Sequence, residues 1–518
     1  MLEPFASARR ILAPRAARET TMERSQETAA LPAVIWALSV GLLGGLVFAS
    51  WVQQVEDERL AALAAGSMLA LCLWSCRRLL RLDPLSPAMV YLYVFAVFHL
   101  GLVVPWALGL YRAPLPYWMQ VNRLSPALAQ IIIAMAAYQV GLSLAVWRWP
   151  SLRNGAALEP VRYCNVVLYH LGLAIVVAGL VAFGWGVRSL GAERLLQLNY
   201  FETYALTNRH DPRFFISSLT LVPIGLYLAA AAAPRRRIPL VVSVVSAWSA
   251  CILFLGFRGY ALVPAVAVLA VLNKRGVRLP RVACLLGLAG LLIVIPLVRG
   301  LRASRLAERS ISEALEAVEP WAAFGEMGGS LRPLVHTLDF MEAEPWRWGE
   351  TYWQALKAAL PNLSLDWQGG SYRPLDQLPP NHWVSRQAAP RLYREFGGMG
   401  FSAVAEPYMN FGTPGVLAYF LLLGAALGWA DHFDAARPTR LAVWAVVLGP
   451  LLWTTRNDFH ALFRPALLGL ASVMLGRILS DSVGRVGGDH RPRRTTSAQR
   501  GAIPGNLHQP GAHPAASI

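Results

Sequence analysis

The sequence predicts an all-α fold, a polytopic bundle of about a dozen transmembrane helices with both termini cytoplasmic and one large helical loop outside. Three observations carry this. Hydrophobic residues make up 55% of the 518 positions and charged residues only 15%, against roughly a quarter in soluble globular chains. The apolar residues fall in long uncharged runs of about 20, the length that crosses a bilayer. Basic residues cluster between those runs, on every second connection.

Spanning helices are predicted near 31–51, 60–76, 85–107, 125–147, 164–186, 214–233, 238–257, 260–273, 282–298, 413–430, 441–455 and 461–479. The runs at 260–273 and 441–455 are short for a full span, which admits a re-entrant or broken helix at either place. Residues 1–30 read as a cytoplasmic tail. They are no secretory signal, because the run that follows is of full spanning length without a convincing cleavage site; Met22 is an alternative start. Residues 31–298 then hold nine spans, 299–412 a large outer loop, 413–479 the last three spans, and 480–518 a tail predicted to be disordered.

Charge sorts these connections into two sets. Arg77/Arg78/Arg81, Arg148/Arg153/Arg162, Arg235/Arg236/Arg237, Lys274/Arg275/Arg278/Arg281, Arg437/Arg440 and the tail form one. The intervening connections are acidic or mixed, beginning with Glu56-Asp57-Glu58. Positive charge resists translocation, so the first set is expected to be cytoplasmic. The loop 299–412, the turn at Arg258 and the turn holding Arg456, Asp458 and His460 then face outward. Within the long loop Ile311, Leu315 and Val318 share a helical face, as do Leu331, Leu334, Val335 and Leu338. With its prolines and tryptophans, such a loop is expected to pack as a lid, and part of the tryptophan suits the head-group layer.

Several function classes are excluded. The net charge of +17 is spread over short arginine clusters rather than gathered in a basic face, so nucleic acid is not an expected partner. Cys72, Cys76, Cys164, Cys251 and Cys284 lie in or at the ends of apolar runs and fit neither a zinc pattern nor a disulfide framework. No P-loop and no zinc-hydrolase motif occurs, and neither a metal nor a cofactor is expected. No inverted repeat of a transporter is evident.

The chemistry is expected from outward-facing arginines and their neighbours. Arg258 stands in the turn Phe257-Arg258-Gly259-Tyr260, Arg299, Arg302 and Arg305 follow the ninth span, Arg456 precedes the last, and Arg464 lies more than one turn inside it. These are exceptions to the sorting rule. Guanidinium groups hold phosphate bidentately and remain charged. The structural alternative is that they snorkel to lipid phosphates or pair with Asp458 and Glu406. Glu406, Tyr408 and Asn410 lie together in Glu406-Pro407-Tyr408-Met409-Asn410-Phe411-Gly412; the carboxylate suits a general base, a partner orienting an arginine, or a helix-entry signal. His382, in Pro380-Asn381-His382-Trp383, is the most constrained loop histidine and the other candidate base, against the alternative of a solvated side chain.

The order of these pieces resembles the O-antigen polymerase and oligosaccharide repeat-unit polymerase (Wzy-type) family over about residues 240–470. Phe257-Arg258-Gly259 resembles that family's Arg-Gly turn opening a helix. Gly349-Glu350-Thr351-Tyr352 with Leu360-Pro361 is similar to its loop pattern, and Glu406 to Gly415 to its Glu-x-Tyr-x-Asn-Phe-Gly-x-x-Gly segment. Arg456-Asn457-Asp458 stands where the family often has Arg-x-Asp. The resemblance implies a C-type glycosyltransferase-like enzyme of the bacterial inner membrane, polymerising undecaprenyl-diphosphate-linked oligosaccharides into O-antigen or exopolysaccharide at the periplasmic face. Its implied partners are that lipid-linked substrate, the bilayer, a chain-length regulator and a flippase. In this picture Arg258, Arg299 and Arg456 contact the diphosphate, supported by Arg302 and Arg464. Glu406 or His382 removes the proton, and Tyr408, Asn410 and Asp458 bind substrate. An O-antigen ligase, a lipid-linked oligosaccharide flippase and a purely scaffolding component are the alternatives.

Overall fold

A computed structural model describes residues 37–110, 116–119, 123–148, 165–198, 202–203, 206, 213–277, 294–298, 321–359, 378–396, 398–431 and 438–488. Among them every regular element is a helix. A π-helical stretch Ala37–Gly44 leads into α1 (Gly45–Gln54), followed by α2 (Glu58–Arg78), α3 (Pro87–Leu100), α4 (Val103–Ala107), α5 (Leu124–Arg148), α6 (Val166–Leu190) and α7 (Ala192–Gln197). Then come α8 (Arg213–Ala232), α9 (Ile238–Phe254) and α10 (Arg258–Lys274). The long connection holds α11 (Ala322–Met327), α12 (Leu331–Phe340), α13 (Glu350–Ala359), α14 (Pro380–Ala388) and α15 (Pro390–Phe396). The chain ends in α16 (Ala405–Ala430), α17 (Pro438–Trp453) and α18 (His460–Gly488).

Seven described helices are long and apolar enough to cross a membrane, and α3 and α17 are shorter apolar helices. The most apolar stretch of α5 is 94% buried, against 17% for α18, so α5 is the axis of the bundle and α18 lies on its surface. Small residues let α5 and α16 meet backbone to backbone. A Cβ on Gly141 would fall 1.9 Å from the Leu421 carbonyl, and one on Gly424 would fall 2.1 Å from that of Tyr138. Close approach of this kind supplies the dispersion contact that joins helices in lipid, where hydrophobic burial drives nothing.

The structure departs from the sequence expectations in four places. The predicted span 85–107 is broken between α3 and α4. Pro105 has no N–H to donate to the Gly101 carbonyl, and the segment Ala322–Ser330 packs into the break. The predicted short run 260–273 is one helix of 17 residues that carries Pro264 inside it. The helix expected from 413 begins at Ala405, interrupted at Gly412, whose φ of 66° and ψ of −157° are not helical. Part of the tail expected to be disordered is the last turns of α18, which runs to Gly488. Most of the predicted span 282–298, the face at 311–318, Cys164 and Cys284 lie outside the described residues. The second predicted face is observed, with Leu331, Leu334, Val335 and Leu338 of α12 all buried. Cys72 and Cys76 are buried fillers, whereas Cys251 is exposed.

Contacts gather the connections into two groups. At one end the Ser125 hydroxyl donates to the Val55 carbonyl (2.9 Å), Arg59 lies over Trp106, and Arg123 pairs with Glu342 and, at 3.8 Å, with Asp339. At the other end Asn273 donates to Asp83 (2.9 Å), and Lys274 pairs with Asp431 at 3.3 Å. There Arg275 also caps the C-terminus of α8, donating to the carbonyls of Ala230 (2.7 Å) and Ala233 (2.6 Å). Arginines at a helix C-terminus satisfy carbonyls that have no helical partner. The end carrying the Arg and Lys clusters is thus separate from the end carrying the lid.

The α5–α16 contact leaves no room for a methyl group. Gly141→Ala should therefore lower stability by about 1–3 kcal/mol or more, read as a lower unfolding temperature in detergent. Gly184→Ala, on α6 with no atom within 4 Å of the added carbon, should leave that temperature unchanged or slightly raised.

Candidate active site at the lid end of the bundle

The site is assembled where α16 enters the bundle. Pro414 lacks an N–H, so the carbonyl of Asn410 loses its partner one turn on, and the break at Gly412 opens the ladder further. The lid fills the gap. Arg347 N–H donates to the Met409 carbonyl (3.2 Å) and Trp348 N–H to that of Asn410 (3.1 Å). The Asn410 side chain then spends both its N–H donors and one acceptor site on the protein. Its Oδ1 accepts from Gly349 N–H (2.8 Å), and its Nδ2 donates to Thr351 Oγ1 (2.7 Å) and the Glu406 carbonyl (2.9 Å). Asn410 is fully buried. It is a clamp between lid and bundle and has no donor left for a sugar.

Glu406 is buried beside it, and both carboxylate oxygens are engaged. Oε1 accepts from the Thr351 hydroxyl (2.9 Å) and Oε2 from the Phe459 N–H (2.9 Å). Phe459 directly precedes α18, so Glu406 supplies the acceptor that the opening of a helix requires, from another segment. Asp458 does the same for α14. Pro379 and Pro380 open that helix without an N–H of their own, and Asp458 Oδ2 accepts from Asn381 N–H (3.2 Å). The sequence left these acids open as base, arginine partner or substrate ligand, with a helix-entry signal as the further reading of Glu406. The geometry instead gives each a helix start to hold, and among the described residues neither forms an ion pair with an arginine.

Arg456 keeps its charge available. It lies in the turn between α17 and α18, a turn made by the back-bonding of Thr454 Oγ1 to the Leu451 carbonyl and Thr455 Oγ1 to that of Leu452, both at 2.7 Å. Phe401 N–H donates to the Arg456 carbonyl (2.7 Å), while the guanidinium lies 5.8 Å from the Phe98 ring and, among the described residues, within ion-pair distance of no carboxylate. Arg258 is brought to the same region. Gly259 leaves space for the Trp453 indole, which would stand 2.0 Å from a Cβ there, and Tyr260 packs on the same ring at 4.5 Å. The Arg-Gly turn is thus a docking face for the residue three positions before Arg456.

His382 stands on α14, which Asp458 pins to that turn. Its Nδ1 and the neighbouring Asn381 Oδ1 are buried polar atoms without a hydrogen-bond partner among the described residues. Burial holds its pKa below the ordinary imidazole range; the Asp458 carboxylate pulls the other way, and His460 adds to the depression. The imidazole is therefore neutral near pH 7, the form in which it accepts a proton.

Tyr408 is half-buried with its ring edge-on to Trp346 at 5.6 Å. Arg464 is exposed on α18. Arg299 and Arg302 lie outside the described residues. Two residues that carry the site escaped the sequence. Thr351 bridges Glu406 and Asn410. His99 of α3 holds the chain just before α16: its Nδ1 donates to the Phe95 carbonyl (3.1 Å), which leaves Nε2 to accept from the Ser402 hydroxyl (2.9 Å). A histidine in an apolar run carries no local sign of this. Among the described residues no three His, Cys, Asp or Glu side chains are placed to hold a metal.

Residues 37–475 match the family model for O-antigen polysaccharide polymerase Wzy, most of the chain. The chain belongs to that family. No curated protein and no solved structure matches it. As a Wzy polymerase it is a multi-pass membrane protein with a role in polysaccharide polymerisation. Its lid end combines an unneutralised arginine with a neutral histidine, on segments fixed by two engaged carboxylates.

Asn410→Ala should free the lid. It leaves the Gly349 N–H without its acceptor, at roughly 1–3 kcal/mol, and removes the donor to Thr351 Oγ1, which keeps its own bond to Glu406. The expected result is faster hydrogen exchange over residues 347–352 with the rest of the bundle unchanged.

Proposed function

We propose that this Wzy polymerase joins oligosaccharide repeat units carried on undecaprenyl diphosphate, at the periplasmic face of the bacterial inner membrane, to build O-antigen or exopolysaccharide. An acceptor sugar hydroxyl attacks the anomeric carbon of the diphosphate-linked chain. The new glycosidic C–O bond forms as the bond to the diphosphate oxygen breaks, the hydroxyl proton passes to His382, and lipid diphosphate leaves. Arg258 and Arg456, with Arg299 and Arg302 from the segment after α10, hold the departing diphosphate; Arg464 meets the lipid-phosphate layer from the surface of α18.

Family membership and the charge of Arg456, unpaired among the described residues beside engaged carboxylates, are the observations that support this reading. A leaving group that gathers negative charge is stabilised by fixed cations in a partly dry site, and such groups contribute a large share of catalysis. His382 is preferred to Glu406 as the base because each Glu406 oxygen already accepts a hydrogen bond, whereas His382 Nδ1 has none among the described residues. Sidedness follows from charge. Arg77, Arg78, Arg235, Arg236, Arg237, Lys274 and Arg275 lie on the connections of one end, which the positive-inside rule places in the cytoplasm. The arginines and histidine of the site then face the periplasm.

Two experiments test it. Arg258→Ala and Arg456→Ala should each reduce polymer formation on the order of 100-fold, leaving single capped repeat units on a surface-polysaccharide gel at normal protein level; full-length polymer from both variants overturns the assignment. If His382 is the base, turnover of purified enzyme stays level as pH falls through the ordinary histidine range, and its acid limb lies below that range. His382→Gln should remove turnover together with this limb.

A further inference from the structure

An aromatic surface on the lid takes no part in the site above. Trp348 is 74% exposed, Trp353 57% and Phe411 41%. Trp348 is held outward by force of its surroundings. Its φ of 48° lies in the left-handed region, which a residue with a Cβ adopts only where packing and hydrogen bonds impose it. The buried Asn410 imposes it, taking the Trp348 N–H on its carbonyl and the Gly349 N–H on its side chain. Trp353, Leu356 and Lys357 share one exposed face of α13, while Thr351 and Ala355 are buried on the other. Lys357 Nζ lies 5.3 Å from the Trp353 ring.

This surface continues into the membrane-crossing part of α16. Trp348 meets Phe411 edge to face at 6.2 Å. From Phe411 an exposed and wholly apolar stripe runs along α16 through Pro414, Ala418, Leu422 and Ala426 to Trp429. At 1.5 Å per residue its two aromatic ends are about 27 Å apart, close to the roughly 30 Å of hydrocarbon in a bilayer. Tryptophan rings collect at both boundaries of that layer.

We propose that Trp348, Trp353, Leu356 and Phe411 form an in-plane anchor that seats α13 in the head-group layer of the leaflet at the site end, with Lys357 directed to lipid phosphate. A lipid surface fits better than a sugar, because the patch is continuous with the lipid-facing stripe. Phenyl and leucine side chains also offer none of the convergent polar groups that orient a carbohydrate. The inference rests on α16 crossing the bilayer and is independent of the catalytic roles given to Arg258, Arg456 and His382. Its consequence is that Thr351, on the buried face of the anchored helix, holds the Glu406 junction at a fixed depth below the membrane surface.

The test uses the full chain in vesicles, with a fluorescent amino acid genetically placed at position 353. Phosphatidylcholine brominated high on its acyl chains should quench the probe about twofold, and lipid brominated near the chain ends should quench it less. Quenching by aqueous iodide with no effect of brominated lipid overturns the proposal. So does protection from iodide by added lipid-linked oligosaccharide without lipid quenching, which would mark a sugar platform. Trp348→Gly separates anchor from strain. It relieves the left-handed backbone, so the unfolding temperature in detergent should hold or rise while the lipid quenching at position 353 weakens. Unchanged quenching in that variant removes Trp348 from the anchor.

Discussion

A carboxylate buried at the head of a membrane bundle must be given hydrogen-bond donors, and Glu406 receives them from chain 55 residues before it and 53 residues after it. That requirement organises the lid end of this protein. The donor before it belongs to α13, so the lid cannot leave without stranding an acid in an apolar setting. The donor after it is the N–H at the opening of α18, so the last helix starts where Glu406 puts it. Asn410, one turn along the same helix, ties the same threonine and the loop before α13. Three segments far apart in sequence share one small polar junction, and everything positioned by them inherits its geometry.

The junction also separates two kinds of polar residue that look alike in sequence. Glu406 and Asp458 are both carboxyl groups that a mechanism can use, yet each is engaged by a backbone N–H at the start of a helix. Such contacts fix the position of each acid. Because the acids are occupied in this way, Arg456 remains uncompensated within its own turn, two residues from Asp458. An arginine so close to carboxylates would ordinarily be neutralised by them. The fold keeps the arginine and the acids apart by giving the acids other work.

Much of the scaffold was legible in the amino-acid sequence because it rests on local properties. Run length marks the spans, the arginine clusters mark one end of the bundle, and the spacing of Leu331, Leu334, Val335 and Leu338 marks the buried face of α12. Arg258, His382, Glu406 and Arg456, grouped as candidates in the sequence, all stand at the lid end. The division of roles among them was not legible. It depends on Thr351, which the Gly349-Glu350-Thr351-Tyr352 pattern marks without giving it a role, and on main-chain N–H groups, which every residue but proline carries. His99 and Ser402 meet across 303 positions, and no periodicity relates them. The early start of α16 was hidden by Pro407, Gly412 and Pro414, which punctuate the sequence like a loop while the helix continues across a single broken turn.

That broken turn explains why a helix breaker belongs at this depth. In an unbroken helix the carbonyls of Met409 and Asn410 would be spent on the next turn, and the lid would have nothing to bind but side chains. Gly412 and Pro414 release them at the boundary between the apolar stretch of α16 and its polar head, and Arg347 and Trp348 take them up. Exposed backbone polar groups are not tolerated in lipid, so the break can stand only where protein covers it. The lid is thus the partner that makes the break permissible, and the break is what holds the lid. Lid and break depend on each other: with the lid in place the backbone is satisfied, and the satisfied backbone fixes the helix from which Glu406 orders the start of α18.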